Sequence, residues 1–143
     1  MSRAKRLKVI VDLAEDEMSK AMATLREVRG QRDQIQAQIN ELDAYLQEYL
    51  AKVSTSGQRF LPIQLQTTQA FTEKLKQAIA SQQQKLTAFD EIVEKAQEQW
   101  TEKRVRHQAL QKVYEKLHKN EQIALSKAEQ KWLDDLAAQN FLR

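Results

Sequence analysis

The sequence contains no cysteine, one proline and two glycines in 143 residues. Without cysteine the chain has no disulfide, no thiolate metal ligand and no cysteine nucleophile. Folds built from strands need many tight turns, and turns depend on glycine and proline, so this composition nearly excludes a sheet protein of this length. Aromatic residues make up only 6% of the chain, which is too little for a large compact core.

Motifs that carry chemistry are missing as well. His107 and His118 are not spaced as an i, i+4 ligand pair, and the sequence has neither a Gly-rich phosphate loop nor a Ser-His-Asp arrangement. No apolar run approaches the roughly 18 residues that cross a membrane. We therefore expect a cytoplasmic protein that is not an enzyme and that binds no metal and no cofactor.

Helix-forming residues dominate the chain instead. Ala, Leu, Glu, Lys and Arg make up about half of it, and the mean hydropathy is −0.70. This composition is typical of long helices and coiled coils with a thin apolar seam. The 23 basic and 20 acidic residues are interspersed and leave a net charge of +3, which is too small to indicate nucleic-acid binding by itself.

A heptad repeat runs through the first third of the sequence. In steps of three and four residues from Leu7 to Val53, thirteen of fourteen positions are apolar, and Arg32 is the exception. This pattern predicts a coiled-coil helix over about residues 4–54. The a positions are Val11, Met18, Leu25, Arg32, Ile39, Leu46 and Val53, and the d positions are Leu7, Ala14, Ala21, Val28, Ile35, Leu42 and Tyr49.

The repeat stops where the sequence has its only plausible turn signal. Gly57 and Pro62 bracket a turn over about residues 55–62, and Pro62 suits the first turn of a second helix. That helix is predicted over about residues 63–139, with a looser seam. Its seam positions are Leu65, Thr68, Thr72, Leu75, Ile79, Gln82, Leu86, Phe89, Val93, Ala96, Trp100, Lys103, His107, Leu110, Tyr114 and Leu117.

A short connection favours antiparallel pairing of these two helices. Where residue numbers add up to 121, a positions of one helix face d positions of the other, so Ala21 faces Trp100 and Arg32 faces Phe89. A small residue opposite a large one is the complementarity that a packed seam needs. The predicted fold is therefore all-α, with two long helices in an antiparallel coiled-coil hairpin. We expect one domain over residues 1–143, monomeric on its own, in preference to a parallel dimer.

Three features have no role in this seam. Tyr45 and Phe71 occupy g positions, where Glu and Lys are usual, so they either widen the seam or meet a partner. The basic cluster between Lys103 and Lys119 is a solvated face, or it meets a partner, for which an acidic protein is favoured over nucleic acid. No nucleic-acid partner is expected. The apolar residues after Leu117 belong to a frayed helix end or to an external interface. They are Ile123, Leu125, Trp132, Leu133, Leu136, Phe141 and Leu142.

Four stretches of the sequence also resemble one known family, FliJ, a soluble coiled-coil component of the bacterial flagellar type III export apparatus. The length of the chain, the position of the turn and the order of the helices agree with that family too, so the resemblance covers nearly the whole chain. The four stretches are Asp12–Glu17, Leu42–Tyr49, Phe71–Ile79 and Trp100–Arg106.

The resemblance implies a hairpin similar to the γ-subunit stalk of rotary ATPases. It implies three protein partners, namely the hexameric flagellar export ATPase, the cytoplasmic linker of the membrane export gate and empty export chaperones. It further implies a stalk and adaptor that associates peripherally with the inner membrane at the export apparatus.

Binding residues are implied by the same resemblance. FliJ-like proteins often have a histidine at the last of the gate-binding positions, where this sequence has Gln82. The export-gate set is Gln38, Leu42, Tyr45, Tyr49, Phe71, Leu75, Ala78 and Gln82. The ATPase-ring set is Leu7, Val11, Asp12, Leu13, Leu110, Tyr114 and Leu117.

Three other functions remain open at the level of sequence. A stalk of a virulence-type type III secretion system would have the same pattern. A coiled coil that binds nucleic acid through the basic cluster would show steep salt dependence. A general holdase chaperone would bind unfolded proteins indiscriminately.

Overall fold

A computed structural model describes residues 2–56 and 61–142 of the chain. It contains two α-helices, α1 at Arg3–Ser56 and α2 at Pro62–Leu142, and no strand within the described ranges. The two helices pack against each other in antiparallel orientation, so the predicted all-α hairpin is confirmed. Gly57 and the rest of segment 57–60, where the turn is predicted, lie outside the described residues.

Each helix begins with a hydrogen bond made by a nearby side chain. The Ser2 Oγ accepts a bond from the backbone N–H of Lys5 at 3.1 Å, as an N-cap serine does. At the start of α2 the Gln64 side-chain oxygen accepts a bond from the N–H of Leu61 at 3.1 Å, which is one half of a capping box. Pro62 follows at the first helical position, where it needs no hydrogen bond.

Contacts between the helices divide the chain into two compact units. Unit 1 combines Met1–Met22 with Gln99–Arg143, and unit 2 consists of Ala23–Glu98. Each unit is an antiparallel pair of helix segments. The prediction of a single domain stays a prediction.

Polar contacts across the seam give the register of each unit. In unit 1 the residue numbers add up to 120 for Glu17 with Lys103, 122 for Lys8 with Tyr114 and 125 for Ala4 with Glu121. In unit 2 they add up to 120 for Gln38 with Gln82 and Tyr49 with Phe71, 122 for Arg32 with Asp90 and 126 for Arg29 with Gln97. Five of these seven pairs lie within one residue of the predicted sum of 121, and the other two involve the long side chains of Glu121 and Arg29.

The predicted seam is the buried stripe of both helices. All fourteen predicted positions of α1 are buried or half-buried, and so are fifteen of the sixteen on α2, with the exposed Leu65 as the exception. The buried side chains of unit 1 are Ala4, Val11 and Ala14, and those of unit 2 are Leu25, Ile39, Leu46, Thr68, Leu75 and Ala96.

The pairing of the two helices extends beyond Leu117, the last seam position that the sequence predicts. The backbone N–H of Ala4 donates a hydrogen bond to the Glu121 carboxylate at 3.3 Å, and Ala4 itself is buried. The first turn of α1 thus extends the pairing by one turn, because the small side chain of Ala4 serves as a seam residue.

Candidate partner-binding site

Two adjoining grooves of unit 2 share the side chain of Tyr45. Their volumes are about 400 and 430 Å³. The first is lined by Gln38, Glu41, Leu42, Tyr45, Ala78, Ser81 and Gln82, and the second by Tyr45, Glu48, Tyr49, Lys52, Phe71 and Leu75. All eight residues implied for the export gate line one groove or the other. We call this paired surface the Tyr45 surface.

Aromatic side chains dominate the second groove. The rings of Tyr49 and Phe71 lie 4.7 Å apart between centroids and are tilted by 47°, a geometry in which aromatic pairs attract each other. Tyr45 is 61% exposed and Phe71 is 43% exposed. Large aromatic side chains held in place but open to water are the residues that most often anchor protein interfaces.

The first groove is built around a polar contact between the helices. The Gln82 side-chain amide donates a hydrogen bond to the Gln38 side-chain oxygen. Leu42 and Ala78 are half-buried beside this pair. A partner would therefore meet an apolar surface with one fixed amide pair at its edge.

Charged side chains that the sequence reading did not single out also line these grooves. Glu41 lines the first groove, while Glu48 and Lys52 line the second and form an ion pair at 4.0 Å. The three residues lie at i−4, i+3 and i+7 from Tyr45, on the same side of α1. That spacing is visible in the sequence and could have identified them.

A further groove of unit 2, of about 350 Å³, is separate from the Tyr45 surface. It is lined by Leu50, Val53, Leu65, Thr68, Gln69, Thr72, Glu73 and Lys76. Leu50 and Leu65 in it have nearly the same exposure as Phe71. This groove therefore offers a matched control for substitutions in the Tyr45 surface.

Residues implied for the ATPase ring fall into two groups in unit 1. Val11 is buried in the seam, and Asp12 and Leu13 are exposed. Asp12 forms an ion pair with Lys8 at 3.3 Å. The half-buried members are Leu7, Leu110, Tyr114 and Leu117. The structure thus assembles five of the seven along the seam and leaves two at the surface.

The basic cluster of α2 is partly engaged within the chain. The Lys103 Nζ contacts the Glu17 carboxylate at 3.0 Å, and this hydrogen bond and charge lower the pKa of Glu17 below its ordinary value. The guanidinium of Arg104 lies 5.0 Å from the centre of the Trp100 ring, a cation–π contact. In unit 2 the hydrogen bond from Arg32 to Asp90 at 2.9 Å raises the pKa of Arg32.

Several apolar residues of the tail are open to solvent. Ile123, Leu125, Trp132, Leu133 and Phe141 are exposed, and Leu136 is half-buried. The side chain of Leu142 lies outside the described residues. Leu125, near the start of the tail, lines a groove together with Ser2 and Ala4. No contact in the described ranges shows what Trp132 and the later residues meet, so the predicted alternatives stay open.

No group of three or more His, Cys, Asp or Glu side chains among the described residues is placed to hold a metal ion. Neither helix, as far as the described ranges extend, has a segment both long and apolar enough to span a membrane.

Comparisons with known proteins match nearly the whole chain. A family model described as "Flagellar FliJ protein" matches residues 3–143. A flagellar FliJ protein of Salmonella typhi is 29% identical over 138 residues, which cover 96% of this chain and 94% of that protein. One of Escherichia coli K12 is 28% identical, with the same coverage of both chains. No solved structure matches, so the likeness to a rotary ATPase stalk stays a prediction.

Proposed function

This chain belongs to the flagellar FliJ protein family, and on that premise we propose that it is a stalk and adaptor of flagellar protein export. The family is non-catalytic, which agrees with the expectation that the protein is not an enzyme. Both relatives are flagellar proteins, and this favours the flagellar system over a virulence-type system. In this role the protein acts by binding its partners and holding them together.

The first partner is the cytoplasmic linker of the membrane export gate, and its site is the Tyr45 surface. The single observation that supports this is the placement of all eight expected residues around two grooves that share Tyr45. Tyr45 and Phe71 supply the exposed aromatic area, while the seam beneath holds Tyr49 and Leu75 in place. Anchors of this kind give most of the affinity of small interfaces.

The hexameric export ATPase is the second partner, and unit 1 is the part that binds it. Unit 1 contains 14 basic and 10 acidic residues, a net charge of +4, whereas unit 2 contains 9 and 10, a net charge of −1. A positive unit is steered to acidic surfaces, which raises the rate of association. Empty export chaperones are a third partner, and binding to the gate places the protein peripherally at the inner membrane.

Removing the two exposed aromatics tests the gate site. We expect Tyr45→Ala combined with Phe71→Ala to weaken binding of the purified gate linker by roughly thirtyfold or more, because each truncation removes an anchor. Isothermal titration calorimetry on the full chain measures this affinity. Both side chains are largely exposed, so circular dichroism at 222 nm should show unchanged helicity.

The matched control truncates two leucines of the separate groove in the same unit. Leu50→Ala combined with Leu65→Ala truncates two large apolar side chains that are each 40% exposed and should leave the affinity for the gate linker within about twofold. Equal losses in the two double variants, or no loss in either, would show that the Tyr45 surface is not the gate site.

ATP turnover by the cognate export ATPase tests the second partner. We expect the full chain to stimulate turnover and to co-elute with an ATPase hexamer in size-exclusion chromatography with light scattering. A lack of both effects would refute the stalk role. It would leave the gate proposal standing, since that binding is measured separately.

A further inference from the structure

Unit 1 has an apolar patch that the seam does not use. Ile10 is 45% exposed, Leu13 is 57% exposed and Val113 is 56% exposed. In the heptad register Ile10 and Val113 occupy g positions and Leu13 a c position, where a solvated coiled coil has polar residues. These three side chains, which we call the Ile10 patch, are the starting point of the inference.

The register of unit 1 places the three residues on neighbouring turns of the helix pair. Lys8 lies 5.3 Å from the centre of the Tyr114 ring, and Glu17 contacts Lys103. Because the helices run antiparallel and these pairs add up to 122 and 120, Val113 falls level with residues 7–9 of α1, next to Ile10. Ile10 and Leu13 are three residues apart and therefore share one face of that helix.

The other flank of the same unit shows what a solvated surface looks like here. At the level of the Ile10 patch its e positions are polar, with Lys8 and Glu15 on α1 and Arg104, Gln111 and His118 on α2. At this level the g flank of unit 1 is therefore more apolar than the e flank, and a contiguous apolar patch rimmed by polar residues is typical of an interface.

Basic residues surround the Ile10 patch. On α1 the face that contains it begins with Arg3 and Arg6, and on α2 Lys116 follows Val113 by one helical turn and Arg106 precedes it by two. All four are exposed. Of the acidic residues near Leu13, Glu17 is paired with Lys103 and Asp16 is exposed. The rim of the patch thus has an excess of positive charge.

From this arrangement we infer that the Ile10 patch is the docking surface for an acidic amphipathic helix of a partner protein. An apolar centre with a basic rim fits a helix that has apolar side chains on one stripe and Asp or Glu on either side. The inference rests on the proposed function, in which the partner of unit 1 is the export ATPase. It places the contact on the surface of unit 1, beside Leu13, rather than on the seam residues Leu7, Val11, Leu110, Tyr114 and Leu117.

Binding of the purified export ATPase to the full chain tests the inference by biolayer interferometry. A triple variant, Ile10→Gln with Leu13→Gln and Val113→Gln, should weaken binding at least roughly tenfold, because it removes the apolar centre of the interface. The control is Val105→Gln. Val105 is 55% exposed, lies on α2 at an outward f position and is two helical turns from Val113, so affinity should stay within about twofold.

Charge is tested in the same assay by reversing two residues of the rim. Arg6→Glu with Lys116→Glu should slow association and reduce its dependence on salt between about 0.05 and 0.4 M, since it removes the steering charges. An unchanged salt dependence would overturn the acidic character of the partner.

The remaining outcomes separate this inference from the proposed function. If the wild-type chain binds the ATPase and the triple variant binds equally well, the patch is not the docking surface but the stalk role stands. If the control variant weakens ATPase binding as much as the triple variant does, the inference is also overturned. Loss of binding to phosphatidylglycerol vesicles, with ATPase affinity retained, would assign the patch to a membrane and overturn the inference. No binding by the wild type would overturn both.

Discussion

The two units pack the same pair of helices with different side chains. In unit 2 the buried residues are mostly large and come from both helices, such as Leu25 and Ile39 from α1 and Leu75 from α2. Among the described residues of unit 1 the buried ones all come from α1; two of the three are the small Ala4 and Ala14 and the third is Val11, while large α2 residues stay half-buried. One heptad pattern therefore supports two kinds of seam.

The surfaces of the units differ in the same way. Unit 2 exposes aromatic side chains around two grooves beside Tyr45, and its net charge is −1. At the Ile10 patch unit 1 exposes aliphatic side chains with a basic rim, and its net charge is +4. The difference teaches that the g flank of one coiled coil can present chemically distinct surfaces without any change of fold.

Truncating one large buried residue in each unit should give the largest change in the free energy of unfolding. Leu46→Ala in unit 2 should lower the free energy of unfolding by about 2–5 kcal/mol, because it leaves a cavity among large neighbours. Val11→Ala in unit 1 should cost about 1–3 kcal/mol, since it removes less buried hydrocarbon. Urea denaturation followed by circular dichroism at 222 nm measures both. A larger loss for Val11→Ala would contradict the contrast between the seams.

Enlarging a small seam residue of unit 1 is the second test. Ala14 is buried, so Ala14→Leu should overpack the seam and lower the free energy of unfolding by about 1–3 kcal/mol. The control is Ala23→Leu at an exposed f position of α1, where leucine keeps helix propensity and should change stability by at most about 0.5 kcal/mol. A stabilised Ala14→Leu variant would show that unit 1 has free space in its seam.

Titration of the Glu17–Lys103 pair gives the smallest effect and belongs to unit 1 alone. Its hydrogen bond lowers the folded pKa of Glu17 below the ordinary value of 4.5. The stabilisation is therefore present above the ordinary pKa and is lost as the pH falls through the folded pKa. In an NMR titration of the side-chain carboxyl, Lys103→Met should move the Glu17 midpoint back towards 4.5. An unchanged Glu17 midpoint would mean that the Glu17–Lys103 contact does not stabilise the folded protein in solution.

Much of the fold could be predicted because the seam repeats. The apolar residues from Leu7 to Val53 follow one uninterrupted heptad register. The side chains at its a and d positions become buried when the two helices pair. The contact between the first turn of α1 and Glu121 of α2 could not be predicted from this repeat. Ala4 is too small to stand out in a hydropathy pattern. In the structure its backbone N–H donates a hydrogen bond to the Glu121 carboxylate, and this contact makes Ala4 part of the seam.

The candidate surfaces were only partly visible in the sequence. The sequence indicates Tyr45 and Phe71 because aromatic residues are unusual at g positions. It does not indicate Glu41 and Lys52, because charged residues are ordinary at outward positions. Only the structure shows that these two residues line the grooves. The exposed Ile10 and Val113 belong to different helices, and only the register of the folded pair places them on neighbouring turns.

Gly30 lies in the middle of α1, at an outward position with nothing within 4 Å of the place where a Cβ would lie. No neighbour therefore requires a glycine there, and the backbone at this point lacks the restraint that a side chain would give. Considered as a mechanical part, α1 is most compliant at Gly30. A bending load or torque transmitted along the helix would concentrate its elastic deformation there and spare the packed turns on either side.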